Sequence, residues 1–149
     1  MFKSLTYKEM SHFIPYLHER TYEQDEVVFF REDPSHALYL LKRGEVTLTI
    51  DVNEGFETVT KVGAGSALGE SCMLGGTKRV LNAFVSSSGA SFYVIPQDNI
   101  FSIFESHEKV KLKMLQALAE IYSEYNANLF KAYRSSFGFF HLGQLYKQD

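Results

Sequence analysis

The stretch GAGSALGESCMLGGTKR, residues 63–79, decides how the rest of the chain is read. It packs five glycines, the acid Glu70 and the pair Lys78–Arg79 into seventeen residues. Glycine at that density bends backbone around something, or lets something approach closely. A dinucleotide, another phosphate and a neighbouring turn of a β fold are the three possibilities. The spacing Gly63-x-Gly65-x-x-x-Gly69 suggests the first only superficially. A dinucleotide loop needs a strand before it, a helix directly after it and a parallel βαβ unit around it. Here strand-like sequence precedes it, and Gly75–Gly76 interrupt any helix begun at Ser71. The P-loop pattern fails as well, because Lys78 is followed by Arg79 rather than Ser or Thr.

Outward from this stretch the pattern is that of short strands. EVVFFRE (26–32), ALYLLKR (37–43), EVTLTIDV (45–52), FETVTKV (56–62), VLNAFVS (80–86) and SFYVIP (91–96) are rich in Val, Phe, Tyr, Ile and Thr. Turn residues separate them, and EVTLTIDVNEGFETVTKV predicts a hairpin turning at Asn53–Gly55. Evenly punctuated short strands argue for an antiparallel sandwich or closed roll over about residues 20–96. Before the roll, Leu5, Met10, Phe13, Ile14 and Leu17 take helical spacing, with Pro15 splitting the segment into two short pieces. After it, residues 97–104 predict a short helix and 107–133 a long one. In the long helix Met114, Leu118, Tyr122, Tyr125, Leu129 and Tyr133 form an apolar stripe. Leu112, Leu115, Ala119, Ile121 and Phe130 broaden it, so the helix is expected to meet its own body and a second partner. The expected organisation is one domain over 1–133 and a tail over 134–149.

Composition sets the outer bounds. The chain has 149 residues, 45% hydrophobic and 22% charged, enough for one buried core without disulfides or metals. No apolar run approaches the ~20 residues a membrane span needs, and MFKSLTYKEM lacks the pattern of a secretory signal. One cysteine, Cys72, suits a reducing compartment, so a cytoplasmic protein is the expectation. The net charge of −3 is uneven: residues 1–70 hold 7 Lys/Arg against 12 Asp/Glu. No basic stripe of the kind that neutralises a nucleic-acid backbone emerges. The locally positive spot is Lys78–Arg79, which suits a small anionic ligand and no nucleic acid.

The same residues bear on chemistry. His12, His18, His36, His107 and His141 read as scattered surface histidines, and no CxxC, HExxH or calcium-loop pattern occurs, so no metal site is expected. Cys72 and the serines carry no nucleophile signature; the expectation is a binder and not an enzyme. What remains is Gly69–Glu70 followed nine residues later by Arg79. A short helix from Ser71 would aim the amides of Ser71 and Cys72 at an anion. Arg79 would fork two donors onto phosphate oxygens, and Glu70 would accept from a sugar hydroxyl. Two arrangements stay open on spacing alone: a cyclic-phosphate cradle, or Glu70 and Arg79 paired with each other.

ALGESCMLGGTKRVLNAFV (67–85) resembles the phosphate-binding cassette of the cyclic nucleotide-binding domain family, with hydrophobic-Gly-Glu, a short helix and then Arg. The likeness extends in front through VVFFREDPSHALYLLKRGEVTLTI and behind through SFYVIPQDNIFSIFESHEKV, roughly residues 10–130. The resemblance implies a mainly β fold, a double-stranded β-helix jelly roll with short N-terminal helices and a long C-terminal helix. It implies that Glu70 binds the ribose 2′-hydroxyl and Arg79 the cyclic phosphate, beside Gly69 and the amides of Ser71, Cys72 and Val80. Val59, Val62 and Leu68 would line the base side, and Tyr122 or Tyr125 would cap the base, though ordinary helix packing also explains both tyrosines. Val80 stands where the family often has Ala, Ser or Thr and offers no hydroxyl, which favours cAMP over cGMP. Glu32 stands where the early turn often has Gly, so a different turn geometry is expected. The implied function is a cyclic-nucleotide-sensing regulatory module without a resident cofactor, signalling through its C-terminal helix. It would homodimerise through that helix and act on a protein effector. The alternative is a ligand-independent β-roll serving protein–protein contacts. The residues after the long helix are too few for the DNA-reading domain of bacterial regulators, so a sensor module or part of a larger chain is expected.

Overall fold

The computed structural model describes residues 1–137. Eight strands run in order: β1 (His18–Glu23), β2 (Val27–Phe29), β3 (Ala37–Arg43), β4 (Glu45–Val52), β5 (Gly55–Gly63), β6 (Ala67–Leu68), β7 (Asn82–Val85) and β8 (Gly89–Pro96). They form two antiparallel four-stranded sheets, β1-β8-β3-β6 and β2-β7-β4-β5, which face each other as a roll. Helix α1 (Tyr7–Ser11) precedes the roll between two 3-10 turns, and α2 (Gln97–Ser106) and α3 (Glu108–Phe137) follow it. This is the mainly β jelly roll with flanking helices that the resemblance implied.

Local chemistry accounts for the elements. Helix α1 opens with a capping box, Thr6 accepting from the Glu9 amide at 3.1 Å and Glu9 from the Thr6 amide at 3.0 Å. Pro15 sits at the start of the second 3-10 turn, where its missing amide costs nothing, so the N-terminal helix divides there. The β4–β5 hairpin pairs Val52 with Gly55, and Asn53 takes φ +45° in its turn, a conformation Asn tolerates. β1 and β6 escape the sequence pattern: HERTYE is almost wholly exposed, and β6 is two residues long. Both are defined by pairing, β1 on β8 and β6 on β3.

Strands β3 and β8 of the first sheet are buried on both faces, which explains their near-continuous apolar runs. Tyr39, Leu41, Phe92 and Val94 point into the roll with Val46, Leu48 and Val85 of the opposite sheet. Leu38 and Ile95 point outward, beneath Ile100, Phe104, Val110 and Met114 of the helices. Helix α3 spans both cores: Val110, Met114 and Leu118 bury against the second, whereas Tyr125 closes the first with Ile121, Tyr122 and Leu129 around it. The broad stripe thus meets two partners within one chain, while Leu112 stays 69% exposed. The helix continues four residues beyond the predicted limit at 133, and the rest of the expected tail, 138–149, lies outside the described residues. One reading needs correction. His12 and His107 are not scattered surface residues: their half-buried rings stack at 3.8 Å, because the turn after α1 packs against the α2–α3 junction. No helix among the described residues is long and apolar enough to cross a membrane.

Candidate functional site

Residues 69–81 fold as a loop held from several sides. Gly69 takes φ +71°, ψ 29°, a left-handed conformation that turns the chain sharply at the end of β6. A 3-10 turn over Glu70–Met73 follows, beginning one residue earlier than the helix expected at Ser71. Its close winding spends the Cys72 amide on the Gly69 carbonyl at 3.1 Å, so that amide is not free for an anion as predicted. Thr77 Oγ1 donates to the Ser71 carbonyl at 2.6 Å, and the hydroxyls of Ser35 and Ser71 meet at 2.9 Å in the interior. Gly75 and Gly76 then reverse the chain, Gly76 at φ +69°, and Lys78 forms a lone bridge with Pro34.

That bridge delivers Arg79 to the site. Its amide donates to the Asp33 carbonyl at 2.7 Å, and its carbonyl accepts from the Glu32 amide at 2.9 Å. Glu32 holds φ +74°, so the early turn keeps the left-handed geometry a glycine would favour, contrary to the expectation of a different turn. Arg79 is 4% exposed. Nη1 donates to the Gly69 carbonyl at 2.9 Å, and the guanidinium lies over the rings of Phe29 and Tyr39, 4.4 and 5.5 Å from their centroids. Nε has no hydrogen-bond partner. Among the described residues no carboxylate pairs with this cation, Glu70 included, so the Glu70–Arg79 ion pair left open by the spacing does not form. Burial pulls the guanidinium below its ordinary value, while Cys72, Tyr39, Glu70 and Asp33 draw it back.

Glu70, also 4% exposed, faces the same cleft. Burial raises its carboxyl above the ordinary carboxylate range, opposed by its own amide, the Tyr125 hydroxyl and the Arg79 charge. The Tyr125 phenol lies beside the Glu70 carboxyl, and burial next to that acid drives the phenol well above its usual range. Tyr122 is pushed up to about 12 by burial and then by Glu70, and its buried hydroxyl lacks a partner of good geometry. Cys72, fully buried, is pushed up to about 12 chiefly by burial, which makes it an inert thiol.

The structure therefore gathers Gly69, Glu70, Ser71, Arg79, Val80, Tyr122 and Tyr125 around one small cleft of about 20 Å³. Cys72 lies beneath it in the helix-side core. Val59, Val62 and Leu68 do not line it; Leu68 is fully buried in the roll and pairs with Tyr39. The two tyrosines line this cleft near Glu70. Sequence reasoning missed the aromatic bed of Phe29 and Tyr39, the Ser35 tie and the Tyr125–Glu70 contact. None has a sequence-local signal, although an aromatic at each of positions 29 and 39 with an unpaired Arg is a pattern worth testing.

The family model of the cyclic nucleotide-binding domain matches residues 19–107. No curated protein sequence matches the chain. Among solved structures, a cyclic nucleotide-binding domain from Methylobacillus flagellatus KT is 28% identical, with TM-score 0.71, over 88% of this chain and 76% of that one. The Thermus thermophilus catabolite activator protein is 24% identical, with TM-score 0.72, over 86% of this chain and 60% of its own. The regulatory domain of Toxoplasma gondii PKA, solved with cAMP, is 24% identical, with TM-score 0.63, over 68% of this chain and 39% of that chain. The last two share the fold, and this chain spans only part of their length. With the roll, the glycine-led turn and the buried arginine in place, the family match over most of the β-roll leads to one conclusion: this chain belongs to the cyclic nucleotide-binding domain family.

Proposed function

We propose that this chain is a cyclic-nucleotide-sensing regulatory module that binds cAMP in preference to cGMP and signals through α3. The observation that carries the reading is Arg79, a cation removed from water that no carboxylate among the described residues pairs with, and with one donor unused. Such a group is costly unless something compensates it, and the cyclic phosphate of a bound ligand would do so. Arg79 would give Nε and its free edge to the phosphate oxygens, with the amides of Ser71 and Val80, while Nη1 stays on Gly69. Glu70 would accept the ribose 2′-hydroxyl. Val80, 46% exposed at the rim, brings no hydroxyl for a guanine, which supports cAMP.

Helix movement follows from a competition at Glu70. The Tyr125 phenol lies beside the carboxyl that the ribose hydroxyl would take. Binding exchanges one donor for the other and changes the contacts of α3, which gives two helix positions different ligand affinities. We take the module to be a binder and not an enzyme, cytoplasmic, and dimeric through α3, where Leu112 stands 69% exposed. A protein effector, and no nucleic acid or membrane, would receive the signal. Sedimentation showing a monomer at high micromolar concentration, with and without cAMP, would remove the dimer.

A ligand-independent roll is the second reading, favoured by the two tyrosines already seated in the cleft. Calorimetric titration separates the two. Wild type should bind cAMP and Arg79→Ala should not; no binding of either nucleotide by wild type at submillimolar concentration would leave the scaffold.

A further inference from the structure

Among the described residues, one hydrogen bond of good geometry ties the turn that would hold the phosphate to the start of α2. The carbonyls of Gly69, Ser71 and Cys72 have identified donors. Gly69 accepts from Cys72 N and Arg79 Nη1, and Ser71 accepts from Leu74 N and Thr77 Oγ1. The Cys72 carbonyl is different, because its donor comes from another element: Gln97 Nε2, at 2.7 Å. Gln97 is the first residue of α2, which has no side-chain cap at Pro96. Its own amide donates to the His36 carbonyl at 2.9 Å, one residue after Ser35, whose hydroxyl meets Ser71. The start of α2 is thereby pinned at two points, and its side-chain amide is the point that belongs to the phosphate turn.

The other contacts between the turn and α2 are apolar: Met73 packs in the same core as Ile100 and Phe104, and the Phe101 ring lies beneath Gly75. Apolar contacts are non-directional and tolerate sliding. A hydrogen bond is directional and weakens steeply when bent, so it transmits a shift of the Cys72 peptide that apolar packing would absorb. A single residue, His107, separates α2 from α3, so a tilt of α2 reaches α3 directly.

We propose that Gln97 is a positioning residue that couples the phosphate turn to α2 and α3, so that ligand contact at Ser71 and Arg79 is read out as helix displacement. This inference rests on the cyclic-nucleotide reading of the cleft. Gln97 touches no ligand in this scheme; it acts through the Cys72 carbonyl.

The experiment combines cAMP titration calorimetry with amide hydrogen exchange across residues 69–80 and 97–125, using the full chain. Gln97→Met keeps the length of the side chain without its donor, and Gln97→Glu replaces the donor by an acceptor. Each variant should bind cAMP within about fivefold of wild type, the scale of one neutral hydrogen bond. Each should keep ligand protection in 69–80 yet lose more than about half of the wild-type change over 97–125. Thr77→Val is the control: it removes a bond to the same turn without touching α2, and at saturating cAMP it should keep the helix response. Equal helix responses in wild type and either Gln97 variant would overturn the coupling. So would Thr77→Val losing the response as Gln97→Met does, which would mark a merely structural role. Failure of the unmodified chain to bind cAMP would overturn the cyclic-nucleotide reading itself, and the coupling with it.

Discussion

Replacing Gly69 by alanine tests the site at its tightest point. The added Cβ would run into Nη1 of Arg79, and would stand 3.0 Å from its Cζ and 3.2 Å from the Ala37 carbonyl oxygen. Neither the backbone of β3 nor the guanidinium clamped over Phe29 yields freely, so Arg79 must leave Gly69. The backbone at φ +71° adds its own penalty, about 1–2 kcal/mol for an L-residue in the left-handed region. Losing a hydrogen bond from a charged donor costs about 1.5–3 kcal/mol more. A total of about 2.5–5 kcal/mol, at about 2–4 °C per kcal/mol for a chain of this length, lowers Tm by roughly 5–20 °C. Because the arginine is displaced, cAMP affinity should fall together with stability. Differential scanning calorimetry and isothermal titration on Gly69→Ala measure both. A Tm within about 1 °C of wild type, with unchanged affinity, would refute the close approach of Gly69 to Arg79 and the role assigned to it.

Other outcomes follow from the same geometry. Glu32→Gly should raise stability by about 0.5–1 kcal/mol, since it relieves a left-handed glutamate and gives up only exposed pairs with Arg31 and Lys78; thermal unfolding decides, and a lower Tm would contradict it. Burial raises the Glu70 carboxyl, so the folded chain holds that proton to higher pH than the unfolded chain does. Its contribution to stability is therefore full below the ordinary value of 4.5 and declines as pH rises through the folded value. Ligand binding has the opposite sign, because a ribose hydroxyl needs the ionised acid. cAMP affinity should be weaker at about pH 5 than at about pH 7.5, and Glu70→Gln should flatten that dependence. Cys72, held protonated by burial, should resist a thiol reagent at about pH 8 in the native state and react at once in denaturant; rapid native labelling would show the turn to be open.

The strands and helices legible in the sequence were those whose burial is one-sided or long enough to leave a period. β4 and β5 alternate around a turn containing Asn and Gly, and α3 carries a sustained apolar stripe. β1 was illegible because its six residues are almost all exposed and only pairing with β8 defines it. β6 was too short to show any pattern. Within the site, Gly69, Glu70 and Arg79 stood out because a tight turn, an acid and a fork-shaped cation are rare at that spacing.

What the sequence by itself determined is the set of local requirements: glycine where the backbone turns left-handed, an acid and an arginine close to it, and a roll-forming order of strands. What only the tertiary structure decided is which groups those residues meet. Glu70 and Arg79 could have neutralised each other, but Arg79 is turned onto Gly69, Phe29 and Tyr39, and Glu70 onto Tyr125. The partners lie in β2, β3 and α3, far away along the chain, and the bridge from Pro34 to Lys78 sets the direction of Arg79. Charge pairing acts over a few ångströms, so it is settled by packing between distant elements and not by spacing along a segment.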